Sequence, residues 1–191
     1  MPVFYARKTL MNTKFPTSDS DLNTVLHEFV TSVQAILGTN FVSAYLQGSF
    51  AIGDWDTDSD VDFLVVIEHE VSDADLSALQ ATHARIYKLE SKWAQHLEGS
   101  YFPKAILKSK DPTKQELLFL DNTFDKLILS DHDNTLVVRW VVREYGITLA
   151  GIDAKELIDP VSSDDLKMEV LGIIQAWAKD IFARNWKMNN K

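Results

Sequence analysis

The sequence predicts an α/β (α+β) fold: a mixed β-sheet flanked by helices, followed by a short C-terminal helical segment. Three observations carry this expectation. Helical and strand-like hydrophobic periods alternate along the chain, an apolar run ending at Ile67 reads as a central strand covered on both faces, and a last helical pattern follows Asp159-Pro160. With 191 residues, 46% of them hydrophobic and only 7 Gly and 5 Pro, the chain is long enough to bury one sizeable core. The Asp159-Pro160 step, with Ser162 and Ser163 after it, divides the expected organisation into a domain over residues 1–160 and a partial helical segment over 161–191.

Taking the elements in order, Leu22, Val25, Leu26, Phe29, Val30, Val33, Ile36 and Leu37 recur at i, i+3, i+4 and i+7. N-cap candidates precede them at 17–21 and Gly38 follows, so the spacing predicts an amphipathic helix. Residues 41–47 are short and rich in β-branched and aromatic side chains, predicting a strand that runs into a Gly48-Ser49 turn. The next strand is the apolar run opened by Asp60 and Asp62. Residues 72–96 carry Leu76, Leu79, Ile86 and Leu89 at helical spacing, and 97–107 then read as extended, with Pro103 expected at an edge or bulge. Residues 116–121 and 124–130 flank Asn122-Thr123 like the arms of a hairpin. Residues 135–145 predict a helix ended by Gly146, and 166–186 predict the C-terminal one.

A formal net charge of −9 opposes binding to a polyanion, which excludes nucleic acid from the expected partners. No segment approaches the roughly 20 apolar residues that span a bilayer, so no membrane partner is expected and the chain reads as soluble and cytoplasmic. With no cysteine, any metal must meet oxygen or imidazole.

The chemistry concentrates at residues 46–66, where Gly48-Ser49 precedes Asp60-Val61-Asp62 by about a dozen positions. Residues two apart on a strand share a face, so Asp60 and Asp62 project side by side. Adjacent carboxylates repel unless a cation lies between them, and oxygen-only ligation completed by water and phosphate oxygens is the pattern of Mg²⁺. Two such ions would stabilise the entering, leaving and nonbridging oxygens of an in-line displacement at phosphorus. Gly48 lets backbone come close to a phosphate, and the following N–H groups and the Ser49 hydroxyl can donate to a triphosphate. A Gly-Ser alone is ordinarily a turn and a lone Asp-x-Asp ordinarily a solvated cap; their combination ahead of an apolar strand favours a metal site. A calcium loop built on Asp54, Asp56 or Asp58 fails. The sixth-place glycine falls on Ser59, Val61 or Phe63 and the twelfth-place glutamate on Val65, Ile67 or His69, leaving these three as a polar loop.

Gly48-Ser49 followed by Asp60-Val61-Asp62-Phe63 resembles the G-S…[D/E]-h-[D/E]-h signature of the DNA polymerase β-like nucleotidyltransferase superfamily. Three further stretches look like those of the streptomycin/spectinomycin adenylyltransferases: Leu97-Glu98-Gly99-Ser100-Tyr101-Phe102-Pro103-Lys104, residues 131–151, and Glu156-Leu157-Ile158-Asp159-Pro160-Val161. The likeness covers about 41–178. It implies a nucleotidyltransferase-type sheet and Mg²⁺-dependent transfer of AMP from ATP to a hydroxyl of a small acceptor, with an aminoglycoside as the favoured class. It also implies a third carboxylate on a neighbouring strand, for which Glu98 is the candidate ahead of Glu90, acting as metal ligand or general base. Gly48 and Ser49 would hold the β- and γ-phosphates. His132, Arg139 and Arg143 read more ordinarily as a helix-cap residue and as exposed or Glu144-paired arginines, and Trp140, Trp177 and Trp186 as core. The adenylyltransferases continue into a larger helical domain that helps form the acceptor pocket. The shorter helical segment here leaves apolar surface at 166–186 for a partner, a second copy among them. Protein nucleotidylation of the toxin/antitoxin type and a non-catalytic nucleotide-binding module are the alternative functions.

Overall fold

The structure is a computed structural model that describes residues 15–108 and 115–189, with backbone alone at 180 and 183–189. Helix α1 spans Ser20–Leu37; Asp19 caps it by accepting from the N–H groups of Asp21 and Leu22, and Gly38 ends it at φ 53°. Strand β1 (Phe41–Leu46) leads into the single-turn α2 (Gly48–Ile52), and β2 (Val61–Ile67) follows the Asp-rich loop. Then come α3 (Asp73–Ile86), β3 (Leu97–Pro103), α4 (Lys104–Leu107), β4 (Leu117–Leu120) and β5 (Leu127–Ser130). The chain closes with α5 (Leu136–Tyr145), β6 (Ile147–Gly151), α6 (Ala154–Leu157) and α7 (Ser163–Asn189).

The six strands form one mixed sheet in the order β5-β4-β3-β2-β1-β6. Only β2 and β3 run parallel, joined by the α3 crossover; the other pairings are antiparallel. Alternation along β2 divides its side chains between two cores. Phe63, Val65 and Ile67 pack with α1 and α3, while Leu64 and Val66 pack with Val142 of α5 and with Ala154 and Leu157 of α6. The apolar run in β2 is therefore buried on both faces, as its composition predicts.

Four expectations need correction. The helix beginning at Ser72 ends at Ile86 rather than running to His96. There the chain folds back through a 3₁₀ turn, Lys92–Gln95, that buries Trp93 with its indole N–H on Asp19 Oδ2 at 3.1 Å, and Gln95 Nε2 donates to the carbonyls of Tyr87 and Leu89. Pro103 ends a central strand rather than lying at an edge or bulge, and its missing N–H is tolerated because pairing with β4 stops at Tyr101. The extended run also stops there, since 104–107 turn into α4. Finally β6, unread in the sequence, pairs with the otherwise free edge of β1. No described helix is long and apolar enough to cross a membrane.

Candidate active site

The turn after β1 is tied to β2. The Gln47 N–H donates to the Asp62 carbonyl at 2.8 Å, and Gly48 follows at φ 61°, in the left-handed region that favours glycine. A Cβ on Gly48 would lie 1.9 Å from Asp62 Oδ2, so the absence of a side chain is what lets the start of α2 lie against that carboxylate. Ser49 is the next residue, and its carbonyl accepts from the N–H groups of Gly53 and Asp54, both at 3.0 Å, closing α2 after one turn.

Glu98 reaches the same place from β3. Parallel register sets Asp62 opposite Glu98, and the Val61 N–H donates to the His96 carbonyl at 2.7 Å to lock that alignment. Both carboxylates point to the side of the sheet that α5 covers further along, the side of Leu64 and Phe102. Asp60, one residue before β2, shares their side. The structure thus brings together Gly48, Ser49, Asp60, Asp62 and Glu98. It leaves Glu90 exposed after α3, away from them, and Asp54, Asp56 and Asp58 on an exposed loop.

The β4–β5 loop closes over this mouth. Thr123, at φ 68°, donates its N–H to the Gln95 carbonyl, and this docking brings Asn122 between two acids. Its side-chain amide donates to Asp60 Oδ1 and its backbone N–H to Glu98 Oε2 at 3.3 Å. His96 Nδ1 stands 3.6 Å from Asp60 and His132 Nε2 3.8 Å from Glu98. Asp133, just before α5, is buried and accepts from the Ser100 hydroxyl at 2.7 Å.

Burial raises the proton affinity of three of these acids, and neighbouring carboxylates add to it at Asp62 and Glu98. Burial, then the charges of Asp60 and Asp133, push Asp62 up to about 6; burial, then Asp62, push Glu98 up to about 7 against the Asn122 N–H. Burial also raises Asp133, against the Ser100 hydroxyl. Among the described residues no three acidic or imidazole side chains already converge as a closed metal cage. The donor set nonetheless fits a hard divalent cation, because the neighbouring negative charges that help raise Asp62 and Glu98 are what such a cation would offset.

Sequence reasoning missed Asn122 and Asp133. The first read only as a hairpin turn, and the second lay in the 131–151 stretch, where its neighbour His132 drew attention as a cap. Two side readings are also corrected. Arg139 is buried rather than exposed, donating to the carbonyls of Ile106, Leu107 and Thr135 and to Asn134 Oδ1. Trp177 is 67% exposed rather than core, Trp140 is half-buried against Tyr145, and the Trp186 side chain lies outside the described residues. Arg143 does contact Glu144, at 3.3 Å, and also donates to the Lys155 and Ile158 carbonyls.

A glycine turn docked on the second acid of a strand-opening pair, with a third acid opposite on the parallel neighbour, gives this mixed sheet the form of a nucleotidyltransferase. The sequence matches the nucleotidyltransferase domain family over residues 26–155, more than half of the chain, and the protein belongs to that family. The fold is similar to that of spectinomycin adenyltransferase AAD(9) from Enterococcus faecialis, solved with ATP and spectinomycin. The TM-score is 0.64 at 14% identity, covering 78% of this chain and 64% of that one. No curated protein matches the sequence.

Proposed function

We propose that this nucleotidyltransferase moves AMP from ATP to a hydroxyl of a small acceptor and releases pyrophosphate. The observation that carries the reading is the register of Asp62 opposite Glu98 with Gly48 pressed against the Asp62 carboxylate. The acceptor oxygen forms a bond to the α-phosphorus, the bond from that phosphorus to the pyrophosphate oxygen breaks, and the hydroxyl proton goes to a base. Glu98, pushed up to about 7, is basic enough to take that proton near neutral pH. Asp60 and Asp62 would hold Mg²⁺, with Glu98 as third ligand where it is not the base, and the cation would neutralise charge building on the phosphate oxygens. The backbone after Gly48 and the Ser49 hydroxyl would donate to the β- and γ-phosphates. An aminoglycoside is the favoured acceptor, supported by the fold shared with an adenyltransferase solved with spectinomycin.

A pyrophosphate-release screen of ATP and GTP against a panel of aminoglycosides, with Asp62→Ala as blank, tests this. Acceptor-dependent release with ATP that vanishes in the blank is expected. Unchanged Mg²⁺-dependent nucleotide binding and pyrophosphate release in Asp60→Asn would overturn it.

A further inference from the structure

His132 lies between β5 and α5, and Thr135 rather than His132 caps that helix, its side chain accepting from the Val138 N–H. The imidazole rests instead on Phe119, with ring centroids 5.3 Å apart. In the register of β4 with β3, Phe119 is opposite Ser100, so it stands on the same side of the sheet as Glu98. Glu98 Oε2 accepts from the Asn122 N–H at 3.3 Å, while Oε1 faces His132 Nε2 at 3.8 Å. That separation is too long for a hydrogen bond, yet it admits one oxygen atom about 2.8 Å from each. Both side chains reach solvent, 20% exposed for Glu98 and 63% for His132, so neither wall of the gap is sealed.

We propose that His132 is a further catalytic residue that binds the acceptor: its Nε2–H donates to the oxygen of the hydroxyl whose proton points at Glu98 Oε1. The inference rests on the nucleotidyl transfer proposed above, with Glu98 as base. Entering and leaving oxygens lie on opposite sides of the phosphorus. With pyrophosphate over Gly48-Ser49, at the β1–β2 end of the mouth, the acceptor enters from the β3–β4 end, where this gap lies. A carboxylate alone grips a hydroxyl through its proton and leaves the oxygen free to turn; a donor on the other side removes that freedom. One lone pair accepts from His132 and the other meets the α-phosphorus. As that bond forms, the hydroxyl proton passes to Glu98 Oε1 and pyrophosphate leaves, while the imidazole keeps its own proton throughout.

Two variants separate this role from an ion pair with Glu98. His132→Phe keeps a ring on Phe119 and removes the donor; His132→Gln keeps a donor at similar reach and carries no charge. Pyrophosphate release from ATP is measured against a panel of aminoglycosides that includes spectinomycin, and ATP affinity by calorimetric titration. His132→Phe should lower kcat/KM for the acceptor by about tenfold or more with ATP affinity unchanged, and His132→Gln should recover most of the loss. A wild type without acceptor-dependent release overturns the transfer reading and this inference together. A wild type that turns over overturns the inference alone if His132→Phe matches it, if His132→Gln is as impaired as His132→Phe, or if the loss lies in ATP affinity.

Discussion

Replacing Asp62 by Asn should stabilise the protein in the absence of divalent cations. In the folded state burial, Asp60 and Asp133 raise the Asp62 carboxyl from 3.8 to about 6, so the fold prefers this group protonated. A raised folded-state value contributes stability that is fully present below the unfolded value and is lost as pH rises through the folded one. Above pH 6 the ionised Asp62 therefore costs the native state about 2 to 3 kcal/mol, since each tenfold difference in proton affinity between the two states is worth about 1.36 kcal/mol. Asn keeps the shape against Gly48 and carries no charge. For a chain of this size the gain corresponds to a rise in Tm of roughly 5–10 °C at pH 8 with EDTA, and it should shrink toward zero as pH approaches 4. Adding Mg²⁺ should raise the Tm of the wild type more than that of the variant, since a bound cation favours the folded state. Scanning calorimetry from pH 4 to 8 with and without Mg²⁺ measures all of this. An Asp62→Asn variant no more stable than wild type at pH 8 in EDTA, or equally stabilised at pH 4 and 8, would refute the reasoning.

Other substitutions test the remaining supports. Gly48→Ala forces both a positive φ and a Cβ onto the Asp62 carboxylate, so it should lower stability by about 2 kcal/mol or more and weaken nucleotide affinity in calorimetric titration. Asn122→Ala frees Asp60 and one hydrogen bond of the acid cluster, and should weaken Mg²⁺-dependent ATP binding by roughly tenfold while changing Tm little. Arg139→Met strands the carbonyls of Ile106, Leu107 and Thr135 in the core and should cost on the order of 3 kcal/mol in urea unfolding, with Arg139→Lys restoring little because one ammonium cannot reach the same fork of acceptors. Burial lowers His83, bonded to the Tyr101 hydroxyl at 2.8 Å, to about 4. Its contribution is intact above the unfolded value of about 6.5 and is lost as pH falls toward 4, about 3 kcal/mol in total, so His83→Phe should flatten that part of the acid-unfolding profile.

What could be read from the sequence is what short-range pattern controls. The stripe of α1 and the doubly buried run of β2 depend only on periods of 3.6 and 2, and each takes the predicted form. Elements set by distant partners were not legible. Ile147-Thr148-Leu149-Ala150 is a strand because β1 offers it an edge more than a hundred residues away in sequence. Residues 87–96 leave the helical pattern because Trp93 finds Asp19 and the aromatic pair Phe50 and Trp55. Arg139 is buried because three carbonyls, two of them from α4, converge on it.

The candidate site shows the same division at finer scale. As a sequence motif, Asp60 and Asp62 are equivalent acids separated by one valine, but the fold makes them different. Asp62 lies inside the strand, against Gly48 and opposite Glu98, where burial and then the charges of Asp60 and Asp133 raise it. Asp60 stands one residue outside, its side chain 38% exposed, within reach of His96 and held by the Asn122 amide. Two polar neighbours reach the Asp60 carboxylate, whereas Asp62 is more deeply buried and faces the charges of Asp60 and Asp133. The residue that separates them is Asn122, whose position depends on the docking of the β4–β5 loop onto Gln95, a contact that no local spacing encodes. Loss of the Asp60 carboxylate should therefore weaken binding without the gain in apo stability that follows loss of Asp62.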